Sequence, residues 1–330
     1  MRVLVLGGNR YIGLQLVFEL ARRGHEVTVM NSHEAALPPG ARRLHGDRQQ
    51  PGVLEEVLGP VRDTFDAVFD NTAYAPKDVE PLIELFRGRV RHFVFTSSTA
   101  VYRRSFVQPV SESFRRHDPS DEDPRKAYGV GKVRCENLLA EEQARSGFPF
   151  TTLRVGHTLG PLSPLASRDP VFFARLEQRR PIPIPGDGLA LVHLIHVADV
   201  ASLMASVIET ERSVAQTYNV VGREAATVSA MVHLMARAVG VEARLLHVPM
   251  EVARLAAPPL VHWGEALTGS VYFSIEKALA ELPWAPRFGL EDGYRDSYEW
   301  FVREGRGRYT FDFRRDDELI ARFGSGAGGA

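Results

Sequence analysis

The chain has 330 residues, with 40 Lys and Arg against 41 Asp and Glu, a net charge of −1, and 44% hydrophobic and 25% charged residues. That length supports one large or two unequal domains around a sizeable core, and the balanced charge gives no bulk attraction to nucleic acid or to an anionic membrane surface. One cysteine, Cys135, excludes an intrachain disulfide and a cysteine-cluster metal site. No apolar run approaches the length of a membrane span, and Met1-Arg2 leads straight into a predicted strand with no secretory leader, so the expected location is the cytoplasm.

In chain order, an apolar strand at 3–6 runs into a glycine turn and then a helix carrying Ile12, Leu16, Val17 and Leu20 on one face. Strands follow at 27–30, about 43–47, 65–70, 92–96 and 150–155, separated by predicted helices at 52–58, 78–87 and about 126–146, with a long polar stretch over 103–125. Apolar strands alternating with amphipathic helices predict an α/β fold, a doubly wound parallel sheet covered on both faces. After Val155 a series of prolines breaks the pattern; strands at 192–197 and 217–221 and helices near 227–239, 249–257, 274–281 and 290–303 remain legible. The expected organisation is a dinucleotide-binding domain of 1–155 plus about 192–220, a smaller mixed α/β substrate-binding lobe of about 156–191 and 221–323, and a flexible glycine-rich tail, 324–330.

The turn Gly7-Gly8-Asn9-Arg10-Tyr11-Ile12-Gly13 is the leading candidate for cofactor binding. A strand, a glycine turn and a helix N-terminus bring backbone N–H groups and the positive end of the helix dipole to a phosphate, and glycine permits the close approach. Gly7 and Gly13 fit a Gly-x-x-Gly-x-x-Gly spacing whose middle position is Arg10. The bland alternative is an ordinary strand-to-helix turn. Further along, Tyr128 and Lys132 stand four apart, on one helix face, and Ser97-Ser98 sits at the predicted carboxyl edge of the fifth strand, where doubly wound sheets bind ligands. Alone, the pair commonly decorates a surface and such serines commonly cap turns. Together they suit oxidation or reduction at a carbinol carbon. A free phenol titrates near pH ~10, and a neighbouring ammonium favours the phenolate. A serine hydroxyl stabilises charge on the substrate oxygen.

With these residues the chain resembles the extended short-chain dehydrogenase/reductase superfamily, in its NAD-dependent epimerase/dehydratase group. The glycine turn, the segment Thr96–Tyr102, the Tyr128/Lys132 pair, Leu153-Arg154-Val155-Gly156-His157, Pro185-Gly186-Asp187-Gly188, His196–Val200 and Tyr218-Asn219-Val220 carry the resemblance over nearly the whole chain. Arg10 makes the turn similar to that of an atypical branch related to chloroplast stem-loop RNA-binding proteins. The resemblance implies catalysis by Ser98, Tyr128 and Lys132. It also implies cofactor contacts from Gly7, Asn9, Arg10, Tyr11, Ile12, Gly13, Asn31, Asp47, Asn71, Thr72, Ala73, Thr96, Ser97, Tyr128, Lys132, Val155 and His157. The cofactor is NAD or NADP. Asn31 stands where an acidic side chain would repel a 2′-phosphate, which favours NADP slightly.

Members acting on nucleotide sugars usually carry an arginine where this chain has Val192; Arg168, Arg175 and Arg287 are candidate replacements, and a small hydroxy or keto metabolite is a comparable substrate. Three functions follow: an epimerase or dehydratase with retained cofactor, a reductase or dehydrogenase with exchangeable cofactor, and a non-enzymatic binding protein for NAD(P) or RNA. The complete Ser/Tyr/Lys set favours an enzyme with a small-molecule substrate and no nucleic-acid or membrane partner. The resemblance further implies a homodimer built on the helices at 78–87 and 126–146. No metal site is expected: His157, His193 and His196 read as satisfied histidines. Cys135 reads as a core filler, Asp121-Glu122-Asp123 and Arg179-Arg180 as solvated charges, Asp316-Asp317-Glu318 as flanking a terminal helix, and Trp263, Trp284 and Trp300 as packing residues.

Overall fold

The alternation of buried aliphatic strands with one-sided helices resolves, in a computed structural model describing residues 1–34, 36–255 and 269–323, into a large parallel sheet. The chain runs β1 (Arg2–Leu6), α1 (Tyr11–Arg22), β2 (Glu26–Asn31), β3 (Arg42–His45), α2 (Val53–Leu58), β4 (Ala67–Asp70), α3 (Pro76–Phe86), β5 (His92–Ser98), α4 (Ala127–Ser146) and β6 (Phe150–Val155). It continues through β7 (His157–Leu159), α5 (Asp169–Glu177), β8 (Ile182–Pro185), β9 (Leu191–His196), α6 (Val197–Ile208), β10 (Thr217–Val220), β11 (Ala225–Thr227), α7 (Val228–Val239), β12 (Leu245–Val248), α8 (Met250–Leu255), α9 (Glu276–Glu281), α10 (Leu290–Trp300) and α11 (Arg314–Phe323).

The large sheet has the order β10-β6-β5-β4-β1-β2-β3, and every pairing in it is parallel. One face packs Val3, Val5 and Phe69 under α1 and α6; the other packs Leu4, Leu6, Phe93 and Phe95 under α2, α3 and α4. Strands buried on both faces read as unbroken apolar runs, which is why the sequence pattern was clear there. β9 does not join this sheet: it pairs with β7 and β11, while α6 and β10 return to the large sheet. The third core, from α5, α7, α10 and β8, includes Phe173, Tyr294 and Trp300.

Element bounds differ from expectation at informative places. β5 extends to Ser98, so Ser97 and Ser98 end a strand and point to opposite faces. α5, β7, β8, β11 and β12 have no counterpart in the sequence reading: they are short, and the chain joining α5 and β8 to their neighbours is rich in Pro and Gly. The terminal helix near Asp316-Asp317-Glu318 is α11, and its acids reach back: Arg175, 1% exposed, bonds Asp317 and the Pro181 carbonyl, and Arg180 pairs with Asp317. Arg180 is therefore a tie between elements and not a plain solvated charge. Likewise Asp121 pairs with Lys126 and Asp123 with Arg125, which orders the approach to α4. Trp284 and Trp300 are buried packing residues. Trp263, the end of the 249–257 helix and the 324–330 tail lie outside the described residues.

Candidate active site

At the carboxyl edge of β1, β2 and β4 lies a cleft of about 470 Å³ lined by Gly7, Asn9, Arg10, Tyr11, Ile12, Gly13, Asn31, Asp47, Asn71, Thr72 and Thr96. The glycines are sterically required. Gly7 has φ +80°, and a Cβ there would sit 2.3 Å from Thr72 Cγ2; one on Gly13 would sit 2.0 Å from the Gly7 carbonyl. Arg10, at the middle position, is extended and exposed, and its side chain makes no capping bond to α1. The chain then turns through a left-handed Tyr11 (φ +41°), a conformation costing about 1–3 kcal/mol in a non-glycine. The Tyr11 ring is buried toward the second lobe; its hydroxyl lies among Thr158, Arg168 and Asp169 without a well-formed hydrogen bond, and burial pushes its pKa up.

Buried polar groups are normally paired, so orphaned ones mark what this cleft is built to meet. Asn31 is 8% exposed, and neither its Oδ1 nor its Nδ2 has a partner. Asn71 accepts from Thr96 Oγ1 at 2.6 Å and leaves Nδ2 unpaired. A row of unmet amides behind a glycine turn at a helix N-terminus fits the ribose and phosphate groups of a dinucleotide. Asn31, Asp47, Asn71 and Thr96 share the lining of this cleft with the turn Gly7–Gly13.

Beyond that end, α4 carries Tyr128, half-exposed, and Lys132, 2% exposed, one turn apart. Lys132 Nζ donates to the carbonyls of Ala73 (2.7 Å) and Thr96 (2.6 Å) and lies 5.9 Å from the Tyr128 ring centre, 5.1 Å from that of Tyr74 and 4.9 Å from that of Phe95. Burial lowers its pKa to about 8, against the pull of Asp70. Two glycines permit this seat. A Cβ on Gly129 would stand 2.2 Å from the Ala100 carbonyl, and one on Gly131 2.4 Å from the Tyr74 carbonyl, so the first turn of α4 lies directly on the exits of β5 and β4. Ser98 Oγ accepts the Ala100 N–H at 3.2 Å, which fixes the oxygen and leaves its O–H free to donate.

Ser97 faces the other side of β5. Strand alternation turns it away from Thr96 and Ser98, and its hydroxyl donates to Glu136 at 2.6 Å. Glu136 also binds Arg154 and Arg116, so Ser97 belongs to a buried ionic network. Ala73 contributes through its carbonyl; Val155 is a core side chain, and His157 is held neutral by burial and Arg168, its pKa lowered to about 3. Neither lines the 470 Å³ cleft. His193 is a satisfied core residue: Nδ1 accepts from Phe273 N–H and Nε2 donates to the Gly222 carbonyl. His196 stacks on Phe288 and faces Asp296 at 3.1 Å. Cys135 is buried, its thiol pushed up to about 12 and so inert. No group of three metal-ligating side chains occurs among the described residues. Of the three candidate cations, Arg175 is committed to Asp316 and Asp317, and Arg287 is exposed beside Asp199. Arg168 faces Tyr11 and Thr158.

Sequence reasoning missed Arg48 and Tyr74, which also line the cleft. Arg48 forms a buried ion pair with Asp70, bonds Thr72 Oγ1 at 2.8 Å and donates to the Asp78 carbonyl. The available signal was Asp70 itself, a carboxylate ending a fully apolar strand, which demands a cation.

The comparisons agree with this geometry. The model of the NAD dependent epimerase/dehydratase family matches residues 3–221. Chloroplast stem-loop binding protein of 41 kDa b from Arabidopsis thaliana is 28% identical over 340 residues, covering 97% of this chain and 84% of that one. A UDP-glucose 4-epimerase from Corynebacterium glutamicum is 26% identical over 326 residues, covering 87% and 91%. Among solved structures, the fold matches a UDP-N-acetylglucosamine 4-epimerase from Methanobrevibacter ruminantium (TM-score 0.75, 19% identity, 92% and 98% coverage). It also matches a UDP-glucuronic acid 4-epimerase from Bacillus cereus in complex with NAD (TM-score 0.73, 18%, 92% and 98%). No helix among the described residues is long and apolar enough to cross a membrane. With the glycine turn, the cleft it lines and two thirds of the chain under one family model, this protein belongs to the NAD-dependent epimerase/dehydratase family, enzymes of the short-chain dehydrogenase/reductase type.

Proposed function

We propose that the protein interconverts hydroxyl and keto states at one carbon of a sugar-like substrate, as an epimerase or dehydratase that retains its dinucleotide through the cycle. The observation carrying this reading is the Lys132 ammonium held on two backbone carbonyls beside Tyr128, one strand exit from Ser98. The dinucleotide supplies a reversible acceptor for the hydrogen on the carbinol carbon. Tyr128 takes the hydroxyl proton and later returns it. Lys132 keeps a positive charge next to that phenol, and Ser98 donates its O–H to the substrate oxygen as charge develops there. Gly7–Gly13 and Asn71 orient the cofactor.

Tyr128→Phe is the direct test: it is expected to lower kcat by about 10²-fold or more while cofactor binding persists, and unchanged turnover would reject the assignment. Retention is read from the ultraviolet spectrum and extracted nucleotide of purified protein. Loss of all cofactor on dialysis would favour a reductase with exchangeable cofactor. Neutral Asn31 and the cationic Arg10 support use of NADP alongside NAD, tested by parallel titration with NADH and NADPH. A homodimer through α3 and α4 is expected, and a monomer mass in light scattering refutes it. The name of the Arabidopsis relative raises a second reading, binding of structured RNA. Fluorescence anisotropy with a stem-loop RNA tests it, with binding that survives Tyr128→Phe as the supporting result.

A further inference from the structure

Tyr74 is a large aromatic side chain left 57% exposed on a backbone that is held at three successive residues. It stands between β4 and α3. Its N–H donates to Asp78 Oδ2 at 2.8 Å, and the N–H of Ala75 donates to the same oxygen at 3.0 Å. The carbonyl before it, that of Ala73, accepts Lys132 Nζ at 2.7 Å, and its own carbonyl lies where a Cβ on Gly131 would come within 2.4 Å. A single exposed aromatic on a free loop needs no explanation. One fixed this tightly is a preformed surface, because the backbone freedom that a ligand would otherwise have to freeze is already gone.

Its place decides what that surface meets. Tyr74 lines the 470 Å³ cofactor cleft together with Asn71, Thr72 and Thr96, whereas Tyr128 is not in that lining. The Tyr74 ring in turn touches the Tyr128 ring, with centres 6.1 Å apart and planes at 50°. Its centre also lies closer to the Lys132 ammonium than that of Tyr128 does, 5.1 Å against 5.9 Å. At that separation the two rings are in contact, so nothing slides between them, and a ligand running from the cleft to the phenol passes over Tyr74. A second cleft nearby, about 310 Å³ and opening beyond Ala100, offers no such passage: its lining holds neither Tyr74 nor Tyr128.

Resting on the catalytic reading above, we propose that the Tyr74 ring is the wall against which the nicotinamide half of the dinucleotide packs, and that this contact slows release of the cofactor. Hydrogen moves between the cofactor ring and the carbon whose oxygen Tyr128 serves, so the cofactor ring has to lie beside Tyr128. Tyr74 stands between that point and the cleft that holds the rest of the dinucleotide. Aromatic pairs gain energy beyond the area they bury, and a gain of this kind is felt mainly in the rate of dissociation. The adenosine half carries no reacting atom and gains nothing from this ring.

The test uses the full chain loaded with NADH and mixed with a large excess of NAD, with the fall of NADH fluorescence followed by stopped flow. ADP binding is measured separately, by isothermal titration of nucleotide-free protein. Replacing the Tyr74 side chain leaves its backbone contacts in place, and an exposed ring adds little to folding, so Tyr74→Ala should melt within about 2 °C of wild type. NADH release is expected to accelerate about tenfold or more in Tyr74→Ala and less than about threefold in Tyr74→Phe, which keeps the ring, with ADP affinity within twofold of wild type in both. Equal release by Tyr74→Ala and wild type, an equal acceleration in Tyr74→Phe, or a tenfold loss of ADP affinity in Tyr74→Ala would overturn the proposal. Neither readout needs turnover. Failure of the catalytic reading appears as unaltered turnover in Tyr128→Phe, and failure of this inference as NADH release that ignores the Tyr74 ring.

Discussion

Lys132 ties catalysis to stability in a way that can be measured. Its ammonium is 2% exposed, and burial lowers its pKa from the ordinary 10.5 to about 8, with Asp70 and Glu136 opposing the fall and Arg48 adding to it. Below pH 8 the lysine is protonated in folded and unfolded chains alike, and the full cost of burying its charge is present. Between pH 8 and 10.5 the folded protein has released the proton and the unfolded chain still holds it, so stability rises with pH in that window. The gap corresponds to about 3 kcal/mol, roughly 2.5 kcal/mol of it realised by pH 10. Other titrating groups contribute too, so the assay is a difference: urea unfolding of wild type and Lys132→Met at pH 7 and pH 10. The substitution leaves the Ala73 and Thr96 carbonyls without their donor, but that penalty does not depend on pH and cancels between the two conditions. The stability of wild type relative to the variant should grow by about 2.5 kcal/mol from pH 7 to pH 10. A change under about 1 kcal/mol would refute the reasoning, because it would mean the lysine does not titrate in this range. Turnover should move oppositely, falling above pH 8 as the ammonium beside Tyr128 is lost.

Gly129→Ala should cost about 1–3 kcal/mol, because its Cβ meets the Ala100 carbonyl at 2.2 Å, and should lower kcat at least tenfold by shifting Tyr128 from Ser98; thermal melts and steady-state kinetics check both. Asn31→Asp places a carboxylate where the orphaned amide now faces the cleft, and should weaken NADPH relative to NADH about tenfold in fluorescence titrations. Arg48→Met strands the buried Asp70 and should cost about 3–5 kcal/mol, with Arg48→Met/Asp70→Asn recovering most of it in denaturant unfolding.

The large sheet was legible in the sequence because both of its faces are buried. Val3–Leu6 in β1, Ala67–Phe69 in β4 and Phe93–Phe95 in β5 are unbroken apolar runs. The glycine turn was legible for a steric reason, since Gly7 and Gly13 cannot carry a side chain. What escaped depends on pairing across distance. Arg175 and Arg180 looked like surface charges until α11, more than 130 residues later, supplied Asp316 and Asp317. β9 looked like a sheet strand and is one, but in a different sheet, because nothing local specifies a partner. The partner of Ser97 was equally distant: it lies on the face of β5 that packs on α4, where its hydroxyl meets Glu136.

The glycines of α4 explain why the two clefts sit together. A helix start with Gly at 129 and 131 sacrifices helix propensity, about 1 kcal/mol for each relative to Ala, in the turn that carries Tyr128. The gain is proximity: the Ala100 carbonyl packs under position 129 and the Tyr74 carbonyl under position 131, at distances no Cβ could tolerate. Tyr74 belongs to the cofactor cleft, and Ala100 to the cleft beyond Ser98. Helix α4 is thus clamped between the walls of both cavities, with the phenol at its first turn and the ammonium one turn further in. Moving either wall moves the acid–base pair with it, so a substitution that shifts the Ala100 or the Tyr74 carbonyl should be felt in kcat.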